Sequence, residues 1–116
     1  MTINEKHVTL ETAVLLKEKG FPQDRWPVSV VDLPYRFKHL SIPPQSVAQK
    51  WLRETKNLHI CIYNCASGYG YEISKADNGT TVYCLPIGPN DGGKWDTYEE
   101  ALEDGILKSL TLYCNI

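Results

Sequence analysis

Apolar positions along this chain recur with a helical period near the N-terminus, in one internal stretch and towards the C-terminus. Between the last two they alternate with the period of a strand. From Thr9 to Lys19, Leu10, Ala13, Val14 and Leu16 supply one apolar side, with Thr9 placed to cap a first helix and Leu15 blurring the stripe. Gly20 suits the left-handed position after the helix, and Phe21 is expected to fold back onto Leu16. A second helix is expected to begin at Pro44, whose fixed φ suits the first helical position. Val47, Ala48, Trp51, Leu52 and Thr55 form its stripe, Gln45, Gln49, Lys50, Arg53 and Lys56 its polar side, and Asn57 its stop.

The period then changes. Leu58, Ile60 and Ile62 alternate with His59, Cys61 and Tyr63, which predicts a strand. Ala66-Ser67-Gly68 turns the chain into a second strand over Tyr69–Ser74. Asp77-Asn78-Gly79 turns it again into a third over Thr81–Ile87, placed at an edge because Pro86 cannot donate to a ladder. The last helix carries Thr97 and Glu100 at capping-box spacing, with acids in its first turn where the helix dipole favours them. Tyr98, Ala101, Leu102, Gly105, Ile106, Ser109 and Leu110 recur on one side of it, and a glycine in that row marks a close approach to the sheet. Residues 21–43 are hard to read because Pro22, Pro27, Pro34 and Pro43 interrupt every candidate element. An arm of this length is expected to pack on the core or on a neighbouring subunit.

The pattern therefore predicts one α+β domain over residues 1–116 with two layers. An N-terminal helix region (1–20) and an irregular Pro-rich arm (21–43) precede an α-β-β-β-α core (44–113) with an antiparallel three-stranded sheet and helices mainly on one face. Composition agrees, since 116 residues suffice for one core, and 42% hydrophobic with 22% charged residues is ordinary for a globular chain. No apolar run reaches the roughly 20 residues that span a bilayer, so no membrane partner is expected. The first residues lack the apolar region of a secretion signal, so a cytoplasmic location with reduced thiols is expected.

The net charge of −2 favours no polyanionic partner, yet residues 1–58 hold nine Lys/Arg and six Asp/Glu, and residues 59–116 hold three and eight. Cys61 and Cys65 share a predicted strand, which puts them ~13 Å apart and out of disulfide reach.

Several stretches suggest chemistry. Gly88-Pro89-Asn90-Asp91-Gly92-Gly93-Lys94 fits a phosphate-loop spacing. Trp95 stands where the magnesium-holding hydroxyl would be, and Asp96, Glu99 and Glu100 would repel phosphate, so the stretch is a surface loop. His59 and Cys61 share a strand face but have no further ligand at a recognised spacing, so no metal or other cofactor is expected and no catalytic residue is assigned. The helix–three strands–helix order is shared with double-stranded RNA-binding domains. The acidic start of the last helix has the wrong sign for phosphate there. A separate basic patch of Arg36, Lys38, Lys50, Arg53 and Lys56 supports nucleic-acid binding as the alternative function. Tyr63, Tyr69, Tyr71 and Tyr83 gather aromatics in the sheet, where core packing or cover by the chain's own arm is the favoured reading and a homo-oligomer interface is the other.

Leu10-Glu11-Thr12-Ala13 to Lys19-Gly20-Phe21, Ala48 to Glu54, His59 to Tyr63 and Thr97 to Glu103 together resemble a group of short uncharacterised proteins of Bacteroidales chromosomes and prophages. The resemblance covers about residues 9–21 and 44–113 and implies a small accessory protein of mobile-element origin, with no activity or site residue to transfer. The leading expectation is a non-enzymatic protein-interaction protein that associates with itself through its sheet or arm into a stable oligomer.

Overall fold

A computed structural model describes residues 6–23, 40–66, 68–84 and 94–114 of the chain. The elements are α1 (Leu10–Glu18), α2 (Gln45–Thr55), β1 (Leu58–Cys65), β2 (Gly68–Lys75), β3 (Thr81–Cys84) and α3 (Tyr98–Cys114). The fold is α+β with the predicted α-β-β-β-α order. Most of the Pro-rich arm, and Pro86 with the expected end of the third strand, lie outside the described residues.

Local sequence accounts for the ends of α1. The Thr9 hydroxyl oxygen accepts from the Thr12 N–H at 3.3 Å. Gly20 has φ +100°. The Phe21 N–H donates to the Leu16 carbonyl at 2.9 Å and the Gly20 N–H to the Lys17 carbonyl at 3.1 Å. These are the paired bonds of a Schellman ending, and they seat buried Phe21 edge-on to Trp51 with ring centroids 5.4 Å apart.

At the second helix three expectations need correction. Pro44 is the N-cap, with extended ψ of 150°, and the helix starts at Gln45. Backbone bonds from Val8 to the Pro43 carbonyl (3.0 Å) and from Gln45 to the Lys6 carbonyl (2.9 Å) hold this segment extended against residues 6–8. Gln45, placed by pattern on the polar side, is 3% exposed, whereas Thr55 is exposed and returns its hydroxyl to the Trp51 carbonyl. Asn57 ends the helix in the left-handed region at φ 59°.

The sheet order is β1-β2-β3 and both pairings are antiparallel. Ile60 faces Ile73 and Ile62 faces Tyr71, while Cys61 faces Glu72 on the opposite side. A register shift leaves Val82 as an extra residue between the Ser74–Thr81 and Ile73–Tyr83 pairs. Such a bulge twists an edge strand and discourages edge pairing. Beyond β3, the Trp95 carbonyl and N–H pair with Tyr69 at 2.8 and 3.1 Å and continue the cover of that edge of β2. At the other edge, the Gln49 side chain donates to the Ile60 carbonyl at 3.0 Å.

α3 lies over β1 and β2, α2 packs on β1 and α3, and α1 packs on α3. The core between the layers is Leu16, Leu40, Leu52, Ile60, Tyr71, Ile73, Ile106 and Leu110, all under 2% exposed. Gly105 is where α3 comes nearest the sheet. A Cβ there would stand 2.8 Å from Ile60 Cγ2 and 3.5 Å from the Tyr71 ring.

Candidate functional site

Three polar arrangements stand out, and the first joins all three helices. Glu103 lies half-buried in the second turn of α3. Its Oε2 accepts from the Thr9 N–H at 3.1 Å, from the Thr9 hydroxyl at 3.1 Å and from the buried Thr12 hydroxyl. Its Oε1 accepts from Gln45 Nε2 at 2.9 Å, and Gln45 also donates to the Glu99 carbonyl at 2.9 Å. The N-cap residue of α1, through its backbone N–H and hydroxyl, and the first residue of α2, through its side-chain amide, thus converge on a carboxylate carried by α3. Its polar partners are the protein's own groups, so the arrangement clamps α1 and α2 to α3. Nothing in the sequence points to it, because the partners lie 58 to 94 residues apart.

The second arrangement is built on Tyr71. The ring is fully buried beneath α3, and its hydroxyl donates to Asp104 Oδ2 at 2.7 Å. Burial, reinforced by the Asp104 carboxylate, holds this phenol well above the usual tyrosine range. Tyr71 stacks on Tyr83 at 6.1 Å and lies 5.4 Å from the Trp95 ring. Lys108 covers the Tyr83 ring at 4.7 Å. Above Asp104, a shallow groove of about 250 Å³ runs between α1 and α3, with Glu11, Leu15, Leu107 and Thr111 along it.

The third is the open face of the sheet. Antiparallel strands place Cys61, Glu72 and Cys84 side by side in one row across β1, β2 and β3, and all three are exposed. His59, Ser74 and Thr81 make the next row, and Tyr63 lies over Gly70 on the other side. Cys61 and Cys84 are free thiols. Two strand spacings separate them by ~10 Å, beyond the ~7 Å a disulfide allows. Among the described residues no three His, Cys, Asp or Glu side chains gather closely enough to hold a metal ion.

These placements divide the expected tyrosine interface. Tyr63 alone belongs to the open face. Tyr69 and Tyr83 lie half-buried on the helix-covered side, where Tyr69 meets Tyr98 edge-on at 6.3 Å. Tyr71 is 0% exposed, as the core reading expects, and has no surface to offer a partner, which removes it from the candidate interface. Period-two alternation separates Tyr63 from its neighbours, but only the pairing shows which strand face the helices take.

The basic patch is similarly divided. Lys50, Arg53 and Lys56 lie on α2, whereas Arg36 and Lys38 fall outside the described residues. Lys50 stands 4.0 Å from Glu54, and Lys56 lies over the Trp51 ring at 5.2 Å. Arg53 sits in the last turn of α2, where a cation is favoured without any ligand. The glycine-rich stretch before Lys94 is also outside the described residues. Lys94 itself lies 5.4 Å from the Trp95 ring centroid.

Compared with protein-family models, with curated proteins and with solved structures, the chain finds no match. Among the described residues no helix is long and apolar enough to cross a membrane.

Proposed function

We propose that this protein is a small non-enzymatic interaction protein that associates with a second copy of itself through the open face of its sheet. One observation carries the reading: Cys61 and Cys84 stand exposed in a single row on the face away from the helices. Cysteine is among the residue types most often fully buried, so two of them on one water-facing surface suit a surface that is covered in use. The resemblance to short proteins of Bacteroidales chromosomes and prophages adds an accessory role and mobile-element origin to the proposal, and the first residues, without the apolar region of a secretion signal, add a cytoplasmic setting.

The size of the face sets the strength. Two strands of eight residues and one of four present roughly 300 Å² of sheet at ~3.3 Å per residue and ~4.8 Å between strands. A stable interface buries ~800 Å² per partner, so this face alone supports weak, concentration-dependent association and not a permanent oligomer. Sedimentation velocity under reducing conditions, from low micromolar to near-millimolar protein, tests it. The expected result is a sedimentation coefficient that rises with concentration. A single species of 13.2 kDa at every concentration would overturn the proposal.

A further inference from the structure

We draw no further inference here: the strongest candidate, the shallow groove between α1 and α3 where Glu11 and Asp104 flank Leu15 and Leu107, rests on two carboxylates beside a pair of leucines, with no second observation that points to a ligand.

Discussion

Replacing Glu103 by alanine leaves the buried Thr12 hydroxyl without its acceptor and removes one of two acceptors from Gln45. Hydrogen bonds to a charged group contribute about 1.5–3 kcal/mol, and a stranded buried hydroxyl adds to the cost. Glu103→Ala is therefore expected to cost about 3 kcal/mol in urea unfolding. In a double-mutant cycle with Gln45→Ala, the two losses should sum to more than the double variant loses. A loss below ~0.5 kcal/mol would show that the clamp contributes nothing beyond packing. Ser41 presents the reverse case. Its hydroxyl is buried with no hydrogen-bond partner among the described residues, so Ser41→Ala should raise stability by up to ~1 kcal/mol.

Tyr71 links a single bond to pH. The phenol carries no charge when protonated, and its folded-state pKa is raised, so the folded chain holds this proton more tightly than the unfolded chain does. The group's contribution is complete below the unfolded value of 10.0 and is lost progressively as pH rises above it. Tyr71→Phe should cost about 1–2 kcal/mol at neutral pH through the lost bond to Asp104. The gap between the two proteins should then narrow above pH 10, where the parent alone loses stability through this residue. A gap that stays constant from neutral pH to pH 11 would contradict the assigned shift.

At the scale of elements, the fit of α3 to the sheet depends on the absence of a side chain at Gly105. Glycine in an exposed helix interior costs ~1 kcal/mol relative to alanine, so Gly105→Ala would stabilise a free helix. Here the added methyl meets Ile60 Cγ2 at 2.8 Å, and Ile60, under 2% exposed in the core, must shift its side chain or its strand to make room. Overpacking of this kind costs about 1–3 kcal/mol, which outweighs the gain in propensity. The expected net effect is a loss of about 1 kcal/mol, disappearing when the same change is made in an Ile60→Ala background. Thermal unfolding of the four proteins measures it. The helix caps obey more local rules. Thr97 receives the Glu100 N–H at 3.1 Å, but the Glu100 carboxylate meets the Thr97 hydroxyl at 2.9 Å and so closes a variant of the capping box.

At the scale of the whole molecule, one-sided helix cover leaves Glu72 as the formal charge at the centre of the open face, with a thiol on either side. A second carboxylate in that row, introduced as Cys61→Glu at an exposed position, should cost no more than about 1 kcal/mol of stability through repulsion from Glu72. Stacking two such faces would crowd these like charges out of water, so concentration-dependent sedimentation should disappear in this variant. Association that persists unchanged would place the contact elsewhere on the molecule.

The order of elements, the Schellman ending at Gly20, the stop at Asn57 and the start of α3 at Thr97 were legible in the sequence. Each depends on residues within about one turn of each other, where steric limits and cap chemistry act without help from the rest of the chain. The close approach at Gly105 was also legible, because a glycine on the buried row of a helix has few other causes. Gln45 was misplaced because its polar atoms mark it as a surface residue until a distant partner, Glu103, satisfies them in the interior. Tyr71 could not be told from the other sheet tyrosines, because its burial and its bond to Asp104 depend on the helix that covers it. Tertiary structure alone made those partnerships and chose which face of the sheet the helices cover. Alternation states that a strand has two faces, and only packing decides which of them is left for water or a neighbour.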